Sequence, residues 1–302
     1  MTVLLNRNAF AIFYQPPTGT GPNSAAQQKT PLNATKLTTR IKFSVEKFSQ
    51  SSYLMSGKSS VDLYNLSKST RNALKQPNTF LRLDAGYGND TQILMNQRIL
   101  SAKENQTGPD VITTVECMDG GIDLTFLHAD FTLSQGGTNR QAFAYIQSVL
   151  NQGGVSNGFI LPLPLVQYAG RGRTFSGPVG ALLDLIVHQA GFVWSIQEGQ
   201  LTVYDPTLGT APTTYVLSEE TGLIGVPNKD MILSNSQDAN ITANSSFYTF
   251  KSLLNPRLVP GSPVKVISQY VPNGLYTPYK VSHTGDNWEG DYFTTLECNG
   301  AD

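Results

Sequence analysis

One five-residue pattern occurs twice in this chain and restricts its architecture more than any other feature. Thr-Thr-apolar-Glu-Cys stands at residues 113–117 and again at 294–298, so that the copies begin 181 residues apart. The two copies contain the only cysteines of the chain. Self-similarity at a fixed spacing is typical of a repeated structural unit. The pattern therefore predicts that one small β-unit occurs twice, the alternative being a chance match of five residues.

Similar segments precede both copies of the pattern. Apolar–basic–apolar triplets at 81–83 and 264–266 come first, and Ser101 and Ser282 follow at the same 181-residue offset as the cysteines. A polar turn then leads into each copy, ending in Gly-Pro-Asp at 108–110 in the first and running from Gly-Asp at 285–286 to Gly-Asp at 290–291 in the second. We interpret this order as a duplication in which each cysteine packs as a small buried residue of its own unit, rather than joining the other in a disulfide.

Charged residues are few for a soluble protein. Asp, Glu, Lys and Arg make up 14% of the 302 residues, against about 25% in an average domain. Freely diffusing proteins usually keep a charged surface for solubility. The composition therefore predicts that much of the surface is buried against other subunits, with ordinary variation among β-rich proteins as the alternative. A net charge of −1 excludes a broad basic surface for nucleic acid.

The first region predicted from the hydrophobic pattern is a β-barrel domain at residues 1–122. Its apolar residues alternate in several short stretches, most regularly at 41–48, as expected of half-buried strands. An N-terminal arm at 3–14, a long loop at 15–31 and a short helix capped by Ser67 complete this region.

The second and third predicted regions are an α+β domain and another β-barrel domain. Residues 123–215 contain a helix at 139–151, a second helix that begins at Pro178, and a hairpin at 192–204. Residues 216–302 return to β alternation. The predicted fold class is therefore mainly β, with two tube-like β-barrel domains related by internal duplication and flanking a small α+β domain.

Neither export nor membrane insertion is expected from the sequence. The N-terminus lacks a long apolar core and a cleavage site, and no run of about 18 apolar residues occurs anywhere. We therefore expect neither a signal peptide nor a transmembrane helix.

The histidines are the residues that most suggest chemistry. His188 lies late in the second helix and is interpreted as a core or helix-end residue. His283 stands near Asp286, Glu289 and Asp291, a grouping that could support acid–base chemistry or bind a metal. Its place in a polar turn of the repeat favours a solvated loop instead.

Other motifs that could carry chemistry are incomplete. The segment at 119–123 is too short for a calcium loop. Gly-Arg-Gly-Arg at 170–173 lacks the lysine of a phosphate-binding loop and is interpreted as a surface loop or a subunit contact. Neither cysteine has the sequence context of a nucleophile. We therefore predict that the chain is not an enzyme and has no catalytic residues, no cofactor or cofactor-binding residues, and no metal ligands.

Six segments, taken in order, form a further pattern. They are Tyr-Asn-Leu-Ser at 64–67, Ala-Gly-Tyr at 85–87, Glu-Cys-Met-Asp-Gly at 116–120, Thr-Gly-Leu-Ile-Gly-Val-Pro at 221–227, the Leu-Leu-Asn-Pro to Pro-Gly segment at 253–261, and Tyr-Lys-Val-Ser-His-Thr-Gly-Asp at 279–286. Their order and spacing resemble those of the central baseplate hub protein of contractile-tailed bacteriophages. The loop at 15–31 has no counterpart in that pattern.

The resemblance implies a structural protein of the virion. Two tube-like barrels per chain would flank an inserted domain, and a homotrimer would close into a ring of six quasi-equivalent units. This hub would join a sixfold tail tube, or its tube-initiator protein, to a threefold tail spike below. Baseplate wedge or tape-measure proteins would surround it, and DNA would pass through its lumen. Assembly in the host cytoplasm, without a membrane partner, is implied as well.

Two other functions fit parts of the sequence. A receptor- or carbohydrate-binding tail-tip module would use aromatic residues, although Trp194 fits a core and Trp288 an interface or loop. A cell-wall hydrolase would use His283 and the nearby carboxylates. The duplication favours the structural function, because a trimer can match a sixfold surface only if each subunit presents the same interface twice. The aromatic candidates for a carbohydrate site are Tyr168, Phe175, Trp194 and Trp288.

Overall fold

The structure is a computed structural model that describes residues 6–15, 34–49, 57–118, 127–168, 171–206, 208–210, 214–232 and 245–299. Within these residues the chain is mainly β, and its two longer helices lie in the middle of the sequence. The predicted fold class, mainly β with an α+β insertion, is confirmed. The predicted loop at 15–31 lies outside the described residues except for Gln15.

The elements follow the chain in three groups. The first group is β1 (Arg7–Tyr14), β2 (Thr35–Leu37), β3 (Ile41–Phe48), β4 (Lys58–Tyr64), α1 (Lys68–Leu74), β5 (Phe80–Tyr87), β6 (Asp90–Thr107) and β7 (Asp110–Met118). The second is β8 (His128–Leu133), α2 (Asn139–Gln152), β9 (Ser156–Ile160), β10 (Arg173–Pro178), α3 (Val179–Gln189), β11 (Val193–Gln197) and β12 (Gln200–Tyr204). The third is β13 (Tyr215–Leu217), β14 (Asn228–Ile232), β15 (Ser245–Leu253), β16 (Val264–Val266), β17 (Gly274–Tyr276), β18 (Pro278–Asp286) and β19 (Tyr292–Asn299).

One eleven-stranded sheet joins the first group to the third. Its order is β14-β15-β19-β18-β3-β4-β7-β6-β5-β1-β2. Strands of the two groups meet where β18 pairs with β3. In this order neither group closes a barrel by itself within the described part of the chain. The two predicted β regions are therefore parts of one continuous sheet.

The first core is formed mainly by residues of β3, β4, β7, β6, β5 and β1. Phe43 and Ile41 on β3 share this core with Val61 and Leu63 on β4, because alternate residues of a strand point to the same side. Burying each such side chain contributes roughly 1.5–3 kcal/mol. Tyr292, from the third group, also reaches this core and holds the two groups together.

The last core lies between two sheets. Strands β15, β19 and β18 contribute Phe250, Leu296 and Val281, and the separate sheet β13-β16-β17 covers them. Val264 and Val266 of β16 point into the same core. This arrangement makes the third group a sandwich within the described residues.

The middle core belongs to the second group alone. Helix α2 begins at a capping box, in which Thr138 accepts a hydrogen bond from the Gln141 backbone and the Gln141 side chain bonds back. The helix buries Phe143 and Ile146 at a spacing typical of one helix face, against α3 and the hairpin β11–β12. Trp194 lies at the centre and donates a hydrogen bond to Asp184 at 2.8 Å.

Several local predictions hold closely, and two short strands were missed. Strand β3 coincides with the predicted alternation, and Ser67 caps α1 by accepting from Thr70. Strands β8 and β10, which pair with each other, were missed. β10 is short and does not alternate, whereas β8 alternates at Ala129, Phe131 and Leu133, a signal that was available in the sequence. The predicted domain limits at 122 and 215 stay predictions, because described residues end or resume near both of them.

Candidate functional site

The repeated Thr-Thr-apolar-Glu-Cys pattern occupies matching strands, β7 and β19. In each strand the first Thr, the apolar residue and the Cys face the core, while the second Thr and the Glu face outward. Cys117 belongs to the first core and Cys298 to the last. Both thiols are buried and unpaired, as predicted, and burial raises the pKa of each well above its ordinary value.

A β-bulge marks the same register in both copies. On β6 the pairing shifts between Ile99 and Ser101, opposite the step from Cys117 to Glu116. On β18 it shifts between Pro278 and Lys280, opposite the step from Cys298 to Glu297. Since bulges are specific features of a strand pair, their shared position supports the duplication. It makes β6 the counterpart of β18.

The turn between the strands differs by two residues. In the first copy Gly108 and Pro109 join Thr107 to Asp110. In the second copy residues 287–290 join Asp286 to Asp291, which are linked by a backbone hydrogen bond of 2.9 Å. Trp288 lies on this longer turn and is 74% exposed.

The extra turn residues correct one inference from the sequence. Counting from the bulge, Ser101 corresponds to Lys280, and Ser282 corresponds to Lys103. The serines therefore share a sequence offset without occupying the same structural position. The Ser101 hydroxyl bonds to Glu116 at 2.7 Å, and the Lys280 ammonium lies 2.9 Å from Glu297, so the same glutamate of the motif is held by different partners.

The copies also match beyond the hairpin, and then diverge. β4 pairs with β7 as β15 pairs with β19. On the far side of these strands, β3 pairs with β4 as β14 pairs with β15. The triplets at 81–83 and 264–266 do not match: β5 pairs with β6, whereas β16 pairs with β13 and β17. Each repeated unit is thus four strands, β14-β15-β19-β18 in one copy and β3-β4-β7-β6 in the other.

The junction between the two units is the candidate functional site. β3 pairs antiparallel with β18 over seven residue pairs, from Lys280 opposite Phe48 to Asp286 opposite Lys42. Gly285 lies opposite Phe43, and a β-carbon at Gly285 would overlap the Phe43 ring. The close backbone approach therefore depends on a glycine at this point.

A buried lysine lies at the end of the junction. Lys47 is 1% exposed, and its ammonium lies 3.4 Å from the Glu198 carboxylate on the turn of the β11–β12 hairpin. The Ser195 hydroxyl and the Gln197 amide of the same hairpin donate to the Phe48 carbonyl, at 2.9 and 3.2 Å. These contacts hold the β11–β12 hairpin of the inserted region against β3. Sequence analysis missed them, although a lysine on the apolar side of an alternating strand was an available signal.

The structure contradicts the interpretation of His283 as a solvated loop residue. His283 lies within β18 and is fully buried, and its Nδ1 lies 2.9 Å from the Thr294 hydroxyl. Burial, together with the positive charge of Lys47, holds its pKa well below the ordinary value. The strand carries it inward because it shares the face of Val281 and Gly285. A neutral, enclosed imidazole is a packing residue rather than a surface acid or base.

The carboxylates near His283 in sequence point elsewhere. Burial opposes ionisation of Asp286, but hydrogen bonds from Arg40 and from two backbone N–H groups outweigh it and lower its pKa. Glu289 is exposed and pairs with the same arginine at 3.0 Å. In the part of the chain that the structure describes, no group of three His, Cys, Asp or Glu residues is placed to hold a metal ion.

The four aromatic candidates do not form one exposed cluster. Tyr168, Phe175 and Trp194 are buried in the middle core, and only Trp288 is exposed. Arg173 lies over the rings of Tyr168 and Phe175, at 4.7 and 5.0 Å from their centroids. His188 lies at the end of α3, as predicted. The motif at 119–123 and residue 170 of the Gly-Arg-Gly-Arg segment lie outside the described residues.

Solved structures share the fold of this chain over nearly its whole length. The 43 kDa tail protein of prophage MuSo2 from Shewanella oneidensis matches with a TM-score of 0.60 at 10% identity, over 96% of this chain and 97% of its own. A tail protein from Neisseria meningitidis MC58 matches with a TM-score of 0.58 at 12% identity, over 88% and 94%. This chain has the fold of phage tail proteins.

A secretion-system component has this tail-protein fold as well. The E. coli c3393 protein, a component of the type VI secretion system with structural similarity to the T4 bacteriophage tail proteins gp27 and gp5, matches with a TM-score of 0.59 at 13% identity. The match covers 86% of this chain and 73% of that protein. No protein-family model and no curated protein sequence matches this chain, so the likeness is one of fold.

Among the described helices, none is both long and apolar enough to cross a bilayer.

Proposed function

We propose that this chain is the trimeric hub adaptor of a contractile phage tail, a structural protein without a catalytic step. The observation that carries the proposal is the junction of β18 with β3, at which two equivalent four-stranded units lie side by side in one sheet. A single chain thus contains one complete contact between neighbouring units. Three chains joined by the same kind of contact would give six units in a ring.

Symmetry explains why such a duplication is useful. A ring of three chains has threefold symmetry, while its repeated units approximate sixfold symmetry. The ring can therefore contact a sixfold tail tube, or its initiator protein, on one face and a threefold spike on the other. Wedge or tape-measure proteins would contact its rim, and DNA would pass through its centre. The protein would be part of the virion, assembled in the host cytoplasm.

The fold and composition support this proposal independently. The tail-protein fold extends over nearly the whole chain rather than over one region. The low fraction of charged residues suits a protein that is covered above, below and at its sides. The receptor- or carbohydrate-binding alternative rested on an aromatic cluster, and three of those four side chains are buried in the described structure.

Native mass spectrometry of the purified chain tests the proposal. We expect a species of three times the 32.8 kDa chain mass that persists on dilution. Addition of tail-tube or spike proteins encoded beside it should then give complexes that contain three copies of the chain. A chain that stays monomeric at high concentration, alone and with these proteins, would contradict the proposal.

A further inference from the structure

One edge of β6 lacks a strand partner where its counterpart has one. β5 pairs with residues 90–98 of β6, and β7 pairs with residues 98–107. Among the described residues, no strand lies on the side of 100–107 that faces away from β7. The corresponding edge of β18 is covered by β3. An unpaired strand edge can accept a further strand through its backbone groups.

The strand that would complete this edge lies at the other end of the same sheet. β14 is the terminal strand, and in the described structure it pairs with β15 alone. β14 and β3 hold equivalent places in their units. β14 pairs with β15, the neighbour of the motif strand β19, and β3 pairs with β4, the neighbour of the motif strand β7. Since β3 lies on β18, β14 of a second copy would lie on β6.

We infer that residues 100–107 of β6 bind β14 of a second copy of this chain, in the register in which β18 binds β3. The inference deepens the proposed function and rests on it, since it specifies the contact that would repeat around the trimer. The contact joins different surfaces of the two copies, so it is head-to-tail. Such contacts form a closed ring when the rotation between copies suits the copy number.

The bulge fixes the expected register. Lys280 lies opposite Phe48 in the chain, and the counterparts of these residues are Ser101 and Ile232. Ala102 then stands opposite Met231. The facing pairs after it are Lys103 with Asp230, Glu104 with Lys229, and Asn105 with Asn228.

Charge complementarity supports this register. At two successive positions of this register, residues of opposite charge stand opposite each other, Lys103 opposite Asp230 and Glu104 opposite Lys229. Within its own chain Lys103 pairs with Glu116, and Glu104 pairs with Arg71 and Lys75. Opposite charges at facing positions stabilise a strand pair, and like charges destabilise it. A slip of one residue would place Lys103 opposite Lys229. The same charged residues would discourage unrelated strands from pairing at this edge.

Cysteine cross-linking tests the register directly. Asn105 and Asn228 are both exposed, and the inferred pairing places them face to face at a separation that a disulfide can span. After mild oxidation, the Asn105→Cys/Asn228→Cys variant should form covalent dimers and trimers on a denaturing gel. Each single variant lacks the facing thiol and is the matched control. The unmodified chain should form none, because its two cysteines are buried.

An out-of-register variant gives the second control. Ser101→Cys/Asn228→Cys separates the thiols by about 13 Å along the strand, so its cross-linking should be at least about tenfold weaker. Equal cross-linking in both double variants would overturn the register. A trimer by native mass without the Asn105–Asn228 cross-link would overturn this inference and leave the trimer standing. A monomer without any cross-link would overturn both.

Charge reversal provides an independent measurement. Lys103→Glu places an acid opposite Asp230, and we expect the dissociation constant of the trimer to rise about tenfold. Adding Asp230→Lys should restore most of the affinity, whereas Lys265→Glu, on an exposed position of β16, should change it little. Unchanged unfolding midpoints would show that the variants remain folded. Failure of the double variant to recover would contradict the pairing of these two residues.

Discussion

At the scale of single residues, polar side chains enclosed near the unit junction control the response to pH. His283 is fully buried with its Nδ1 at 2.9 Å from the Thr294 hydroxyl, and Lys47 adds a positive charge nearby. Both features favour the neutral imidazole, so the folded state takes up a proton on His283 far less readily than the unfolded chain. Folding is therefore linked to the protonation of His283.

We predict that acid destabilises the protein through His283. The unfolded chain binds a proton on this residue below about pH 6.5, whereas the folded chain binds it only at a lower pH because its His283 pKa is lowered. Stability is thus full above the unfolded pKa and falls by about 1.4 kcal/mol per pH unit below it, until the folded form is protonated. The free energy of unfolding in urea, measured from pH 7.5 to pH 5.5, checks this. His283→Gln should remove the slope, and the exposed-site variant His128→Gln should retain it; equal slopes would contradict the prediction.

The pairing of Lys47 with Glu198 gives a second prediction. Glu198→Gln would leave a buried ammonium without its counter-charge, and we expect it to lower the free energy of unfolding by about 1–3 kcal/mol. Combining it with Lys47→Met should recover most of the loss, because no buried charge then remains. Denaturant unfolding of the single and double variants measures both effects.

A surface pair is the control for this experiment. Glu289 pairs with Arg40 but is 71% exposed, so Glu289→Gln should change the free energy of unfolding by less than about 1 kcal/mol. If Glu198→Gln changed the free energy of unfolding as little as Glu289→Gln, the Lys47–Glu198 contact would not stabilise the packing of the inserted region against β3.

Sequence reasoning reached some of these residues and missed others for a physical reason. The burial of the cysteines and of Trp194 was predicted, because apolar side chains of any size favour the protein core. His283 was misplaced, because its burial depends on β3 pairing with β18 across more than 200 residues of chain. Local polarity around residue 283 gave no sign of that pairing.

At the scale of elements, the β3–β18 pair requires a residue without a side chain. Gly285 faces Phe43, and a β-carbon there would overlap the Phe43 ring and crowd the ring of Tyr292. The two rings belong to the first core, so they cannot move without disturbing its packing.

We predict that Gly285→Ala weakens this strand pair. Overpacking at such a site costs about 1–3 kcal/mol, and the loss should be visible as a lower unfolding midpoint. Gly274→Ala is the matched control, because an added methyl on β17 meets only the edge of Tyr276 at 3.8 Å. An equal loss in both variants would show that the effect does not arise from the junction.

Elements were predicted best where the periodicity was strong. The alternation at 41–48 and the Thr–Cys motif each gave a strand in the expected place. The mostly polar residues after Ser101 were interpreted as a turn, whereas residues 102–107 continue β6 to the turn at Gly108. Backbone pairing with β7 outweighs their low β preference.

At the scale of the whole molecule, the duplication was predictable but the way in which the units meet was not. The sequence predicted two separate barrels, whereas the described structure joins both units in one sheet. That arrangement depends on pairing between strands that are far apart in the chain, which no local pattern encodes. It is also the arrangement from which we infer how one copy contacts the next.

Electron cryomicroscopy of the purified trimer tests the central claim most directly. We predict class averages that show a ring of six similar lobes around a central hole, with strict threefold and approximate sixfold symmetry. The refined map should show the sheet running unbroken from β6 of one copy into β14 of the next. A compact particle without a hole, or three copies that meet through other surfaces, would contradict the account.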